Sequence, residues 1–262
     1  MGSPERRIGA AAGRCDQAED AVLVSSCTIP IETGLQPMIF LQVFAKGHHG
    51  YPQPEDEYYK VVYPNFCLRC GMHGQQAAPF RLKRTDGAPH SSFVQINWVF
   101  DAFFVHQEVA RELASAGISG VSFGPVLNHR TGGELDNRVQ LMISRTINCA
   151  ETSRLPAATC EPDNEEHKVK FLGGRSRYNT LTPYCGGVKY HQPTSLAIKS
   201  DALDNAPDVF QTAEWFGSGG AADRLTLCSE RFAELVSSSG WRGLEFRSVQ
   251  ANGWSERASQ SI

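Results

Sequence analysis

The sequence predicts an α+β fold: mixed sheet carrying two similar strand–helix–Gly-turn–strand units, stapled by a zinc-knuckle-like CxxC site. Three observations carry that prediction: a pair of matching segments, the run Cys67-Leu68-Arg69-Cys70-Gly71, and a globular composition. Of 262 residues, 41% are hydrophobic and 20% charged, which suits one large domain or two small ones. A formal net charge of −3 lacks the basic excess of a phosphate-tracking surface, so no nucleic-acid partner is expected. No apolar run approaches the roughly 18 residues of a membrane-spanning helix. The expected location is cytoplasmic, with no membrane partner.

Residues 1–37 read as a disordered extension or a mis-called start. Gly2, Ser3 and Pro4 are followed by the small residues Ala10 to Gly13. The longest apolar run, Ala21-Val22-Leu23-Val24, falls short of the about 7–15 residues of a secretory core. Little apolar burial offsets the entropy of ordering this stretch. The α+β region is expected over 38–249 and opens on the strand-like run Met38-Ile39-Phe40-Leu41-Gln42-Val43-Phe44. Residues 250–262 are polar and read as a flexible tail.

Within this region two pseudo-repeats, about 98–126 and 215–249, align with one inserted residue. Glu108 then faces Glu230, Leu113 faces Leu235, Gly117 with Gly120 faces Gly240 with Gly243, and Phe123 with Val126 faces Phe246 with Val249. Val109, Leu113 and Ala116 in one copy, and Phe232, Leu235 and Val236 in the other, recur at helical spacing and predict an apolar helix face. Gly117 and Gly240 stand where a helix needs a left-handed residue to end it. Gly120 and Gly243 permit a tight turn into strands whose Val121/Phe123 and Leu244/Phe246 alternate with polar neighbours.

Cys67 and Cys70, with Pro64 and Asn65 before them and Gly71 after, have the spacing that turns two thiols toward one zinc ion. A structural site needs further ligands. Thr182-Pro183-Tyr184-Cys185-Gly186 repeats the Cys-Gly frame, but Thr182 stands where a first cysteine would be, and a hydroxyl is a poor ligand beside thiolate. Cys160, His191 and His73 are the possible fourth ligands, and the prevalence of thiolate-rich structural sites favours Cys160. The expected zinc-site region is about 64–73 with 160–191, holding structural zinc on Cys67, Cys70, Cys185 and Cys160. A redox dithiol would open a helix, which Gly71-Met72-His73-Gly74 does not resemble. Cys149 and Cys228 read as core residues.

No local spacing assembles a catalytic triad or a carboxylate pair, so no catalytic residue is assigned. His48-His49 reads as polar loop, and Gly217-Ser218-Gly219-Gly220 as a connection, since it lacks the lysine and hydroxyl of a P-loop. Trp215, Phe216 and Trp241 are the aromatic residues considered for a partner surface, with core packing the commoner role for such residues.

The Cys-x-x-Cys-Gly run, the second Cys-Gly element and the ending resemble the double-CXXCG motif family of bacterial immunity proteins. Ser229-Glu230-Arg231-Phe232-Ala233-Glu234-Leu235 and Gly240-Trp241-Arg242-Gly243-Leu244-Glu245-Phe246 match that family's ending residue for residue, and the likeness spans about 57–75, 180–190 and 208–249. The resemblance implies a zinc-stabilised, non-enzymatic binding protein whose partner is a cognate protein toxin. The alternative is a hydrolase-like enzyme whose site assembles only in the fold.

Overall fold

The computed structural model describes residues 39–83, 91–162 and 183–252. The expected extension 1–37, Thr182 and most of the expected tail lie outside the described residues. In chain order the first elements are β1 (Phe40–Ala45), α1 (Tyr58–Val62), β2 (Arg81–Leu82), β3 (Phe93–Ile96), β4 (Val99–His106), α2 (Gln107–Ser115), β5 (Val121–Asn128) and β6 (Glu134–Ile143). They are followed by β7 (Thr146–Ile147), β8 (Ala157–Thr159), β9 (Val188–Tyr190), β10 (Ala197–Lys199), β11 (Val209–Phe216), β12 (Asp223–Ser229), α3 (Glu230–Ser238), β13 (Leu244–Ser248) and β14 (Gln250–Asn252). The fold is mixed α+β and mostly strand. β14 begins where the tail was expected to: it pairs in parallel with β10, so the first residues past Val249 are in sheet.

A seven-stranded sheet runs β13-β1-β12-β11-β9-β8, with β7 also on β11, and a five-stranded sheet runs β2-β5-β6-β4-β3. Both contain a helix-bearing crossover. β4 leads through α2 to β5, and both strands pair antiparallel with β6, which lies between them. β12 leads through α3 to β13, and both pair antiparallel with β1. The intervening strand follows the crossover in one sheet and precedes it by the whole of the other sheet's strands in the second.

Period-two alternation puts apolar groups on both faces of each sheet. Phe103 and Val105 of β4 and Cys228 of β12 share a core with Val109, Leu113, Phe232 and Val236 of the helices. The opposite face of β4 sends Phe104 into a second core with Tyr58, Val62 and Phe80. The opposite face of β12 sends Leu225 and Leu227 into a third, with Phe210, Phe216 and Cys149. Cys149 and Cys228 are thus buried packing thiols.

The glycines explain how the crossovers close. At Gly117 (φ 65°) and Gly240 (φ 67°) the helices end in left-handed turns. Ile118 N–H then donates to Leu113 O, and Trp241 N–H to Val236 O, both at 3.1 Å, which is the pattern that satisfies the last helical carbonyls. The following turns reach across to the other sheet. Val209 N–H donates to Ser119 O at 3.1 Å, and Phe93 N–H donates to Arg242 O at 2.9 Å. A Cβ on Gly120 would lie 2.0 Å from Val209 O, and one on Gly243 would lie 2.0 Å from Phe93 O. Each crossover turn therefore abuts the first strand of the other sheet's hairpin.

Asp208 fastens the same junction. Its carboxylate accepts from Ser119 N–H at 2.8 Å, Ser119 Oγ at 2.7 Å, Ser229 Oγ at 2.8 Å and the Arg231 guanidinium at 3.0 Å. Ser229 is also the N-cap of α3, accepting from Phe232 N–H. Arg231 continues to the carbonyl oxygens of Ala116 and Gly117, the C-terminal end of α2. Burial would raise the Asp208 pKa, but its hydrogen bonds with Ser119 and Ser229 and the Arg231 charge outweigh this and hold it below the ordinary value.

Three outcomes are expected. Gly243→Ala should lower unfolding free energy by more than about 2 kcal/mol in urea titration, since the methyl meets a carbonyl oxygen. Gly132→Ala, at φ 76° with open space around it, should cost about 1 kcal/mol. An aspartate with a depressed folded pKa stabilises above its unfolded value, about 3.9, and loses that contribution as pH falls through the folded value. Asp208→Asn should therefore lower the thermal midpoint at pH 7 and flatten its decline between about pH 5 and pH 2.

Candidate metal centre

The first two thiols sit on a knuckle after α1. Gly71 N–H donates to Cys67 O at 2.8 Å, and Cys67 N–H donates to Met72 O at 2.7 Å, closing the turn. Gly71 adopts φ 83°. A Cβ there would lie 2.5 Å from Gly220 O and 2.6 Å from Ala222 N, so only glycine lets the 217–222 loop cover the knuckle.

The other two thiols are brought together by a strand pair. β8 and β9 are antiparallel, with Thr159 opposite Val188. The pairing runs one step further: Cys160 N–H donates to Gly187 O at 2.8 Å and Gly186 N–H to Cys160 O at 3.1 Å. Gly186, like Gly71, has a left-handed backbone, φ 68°. Both Cys-Gly elements thus make the turn by the same device.

The knuckle and the strand pair converge. The Sγ atoms of Cys67, Cys70, Cys160 and Cys185 all lie within 4.8 Å of one another. Cys67 and Cys160 are 3.8 Å apart and Cys70 and Cys185 3.5 Å. A tetrahedral ion with metal–sulfur bonds of about 2.3 Å has sulfur–sulfur edges of about 3.8 Å, so the donor set fits one. Cys67, Cys70 and Cys160 are buried and Cys185 is exposed; all four are free thiols. Arg69 stacks its guanidinium 4.0 Å over the Tyr184 ring, tying the knuckle to the loop before Cys185.

Thiol chemistry explains why such a cluster calls for a cation. A hydrogen bond from Cys70 lowers the Cys67 pKa, so a first thiolate forms readily. That bond and burial push Cys70 up. Burial, with the negative charge on Cys67, pushes Cys160 up to about 11. Four thiolates at this spacing require a positive ion between them, and four soft sulfur donors suit a soft or borderline metal rather than magnesium or calcium.

His73 and His191 are not members of the four-donor group. His191 is exposed beyond β9. His73 turns away, its Nε2 3.2 Å from Asp101 Oδ2, its Nδ1 3.0 Å from Gly74 O, and its ring stacked 3.9 Å from Tyr63 and edge-on to Trp215 at 4.9 Å. Burial would lower its pKa, but Asp101 outweighs that and holds it above the ordinary value. Asp223, near the same pair, is pushed up to about 7 by burial and then by the Asp101 charge. Sequence reading missed this cluster because Asp101 and Asp223 lie on strands of different sheets. It also missed Lys189, which is buried against the knuckle with its Nζ 3.2 Å from Cys70 O.

Of the aromatic residues considered for a partner surface, all three take the core reading. Phe216 is buried in the core, and Trp215 and Trp241 are half-buried against other apolar groups. Among the described residues, the exposed aromatic rings of Phe, Tyr and Trp are Trp98 (47%), Phe100 (41%) and Tyr51 (38%). Tyr51 packs 4.7 Å from Trp98, and Phe100 4.9 Å from His48. Trp98 takes φ 69° in the β3–β4 turn, a conformation that disfavours bulky side chains. No helix among the described residues is long and apolar enough to cross a membrane.

Comparison of the chain with protein-family models and with curated proteins finds no match.

Elemental analysis of purified protein should find about one metal ion per chain. Cys67→Ser and Cys160→Ser should each abolish it, since loss of one ligand opens a closed four-donor site.

Proposed function

We propose that this chain is a zinc-stabilised, non-enzymatic binding protein, an immunity protein that acts in the cytoplasm by neutralising a cognate bacterial toxin. One observation supports the reading above others: two Cys-Gly elements far apart in sequence meet in a single four-sulfur cluster. Those elements carry the resemblance to the double-CXXCG proteins, together with the Ser229 to Leu235 and Gly240 to Phe246 segments. Zinc is the ion of choice, because four thiolates in tetrahedral array with every position filled are the mark of a structural zinc site. Bound zinc would clip residues separated by 93 and 115 positions, removing much of the freedom of the unfolded chain. The two helix-bearing crossovers, with their paired glycines and reciprocal hydrogen bonds, are copies of one strand–helix–Gly-turn–strand unit in this reading.

A masking protein needs an exposed anchor. Tyr51, Trp98 and Phe100 supply one of the residue types that dominate binding energy, and the turn spends backbone strain on displaying a tryptophan. The expected occupant is the toxin itself.

Co-expression with the product of the neighbouring gene tests the function. Rescue of growth and co-purification support it; failure of both overturns it. Trp98→Ala should weaken the complex by at least about 30-fold, equivalent to about 2 kcal/mol, while metal content stays at the wild-type level.

A second reading, a hydrolase-like enzyme, draws on the His73–Asp101 pair with Asp223 beside it. Ester or phosphoester hydrolysis abolished by Asp101→Asn in a folded protein would replace the binding reading.

A further inference from the structure

β13 ends one side of the seven-stranded sheet, with only β1 paired to it. Which of its backbone groups face outward follows from the register. Lys46 N–H donates to Gly243 O at 2.9 Å, and Phe44 lies opposite Glu245 and Gln42 opposite Arg247. Antiparallel pairs alternate between those that exchange backbone bonds and those that do not. Gly243, Glu245 and Arg247 therefore direct their backbone groups to β1, and those of Leu244, Phe246 and Ser248 point away from it. The residue just before agrees: Arg242 N–H donates outward to Ser92 Oγ at 3.2 Å, and Arg242 O accepts from Phe93 N–H at 2.9 Å. Past Arg242, no described residue pairs with that outer edge.

An open row of backbone groups is a template for another strand, and the side chains beside it decide which strand. In the other sheet β5 is blunted by Pro125, which lacks an N–H, and by β2 lying on Leu127 and Asn128. β3 is bridged by His48 at Gln95. β13 has neither a proline nor a cover. Its two exposed charges have opposite sign: Glu245 and Arg247 sit 2.8 Å apart on one face, with the guanidinium stacked 4.2 Å from the Phe44 ring. An edge carrying one sign of charge repels a copy of itself. Here an antiparallel copy centred on Phe246 sets Glu245 opposite the second copy's Arg247, and Arg247 opposite its Glu245. A parallel, in-register copy would set like charges opposite. The same antiparallel register brings outward-facing backbone to outward-facing backbone, Phe246 with Phe246 and Leu244 with Ser248. On the other face the half-buried Phe246 ring, edge-on to Phe232 at 6.2 Å, would meet its own counterpart.

We propose that β13 is a self-association edge, through which two copies of this chain pair antiparallel about Phe246 into one continuous sheet. Such a two-fold interface is self-complementary. It draws on strand register and charge, and on neither the metal nor the toxin reading. A single strand pair makes a small interface, so a reversible dimer with Kd of roughly 1–100 μM is expected.

Sedimentation equilibrium of the full chain across that range tests it. Glu245→Arg and Arg247→Glu each set like charges across the axis at both pairs, and each should weaken the dimer at least about tenfold. Both side chains are solvent-exposed, so each variant should keep the wild-type thermal midpoint. The double variant Glu245→Arg/Arg247→Glu exchanges the charges and should return to within a few-fold of wild type. An equimolar mixture of the two single variants should form a one-to-one complex about as tight as the wild-type dimer, which a merely disturbed strand would not do. Loss of folding in one single variant leaves the decision to the other and to the double variant; loss in both overturns the proposal. So does a wild-type chain that stays monomeric at about 100 μM, or a single variant with wild-type association. Failure of both the double variant and the mixture to recover association overturns it as well.

Discussion

Four sulfur atoms drawn from three distant segments cannot share a volume a few ångströms across as free anions. This repulsion, and the cation that would relieve it, is the constraint on which the region around the knuckle depends. Cys67 and Cys70 arrive on a turn, Cys160 at the end of β8 and Cys185 just before β9. Backbone hydrogen bonds close the knuckle and pair β8 with β9, and a cation between the sulfurs would fix the two pieces to one another. The loop 217–222 completes the enclosure, pressed on Gly71 and held by Lys189. Cys185 alone remains exposed, which leaves one edge of the site open to solvent.

The rest of the fold is joined by a different principle. In each crossover turn a carbonyl accepts from an N–H of the opposite sheet, and the glycine that follows it could not be replaced without meeting that sheet's backbone. Asp208 and Arg231 concentrate charge at one such junction, where buried donors around a carboxylate are mutually strengthening. His106, which precedes α2 as Ser229 precedes α3, instead lies 3.4 Å from the Arg138 guanidinium. The two junctions are alike in backbone and unlike in side-chain chemistry.

Charged groups gather unusually close to the sulfur cluster. His73 with Asp101, Asp223 and Lys189 all sit between β4, β9, β12 and the knuckle, under aromatic cover from Tyr63 and Trp215. At low dielectric these groups act on one another strongly. The charge state of the sulfur cluster and that of the carboxylates are therefore linked by proximity.

Much of this was legible in sequence because it is encoded locally. Helical spacing at Val109 and Leu113, or Phe232 and Val236, marks a buried face regardless of what covers it. A glycine after such a face reports a left-handed residue, and Cys-x-x-Cys-Gly reports a knuckle, because both are steric statements about a few adjacent bonds. The choice of Cys160 rested on the chemistry of thiolates, not on any pattern that placed it. Sequence alone thus determined the apolar faces of α2 and α3, the glycine turns after them, the cysteine knuckle and the kind of donor. Tertiary structure decided which sheet each strand joined, that β1 completes a crossover whose other strands lie far along the chain, that Lys189 is buried, and that Trp98 rather than Trp215 or Trp241 faces solvent. Those outcomes turn on contacts between residues remote in sequence, whose burial and charge have no local period to read.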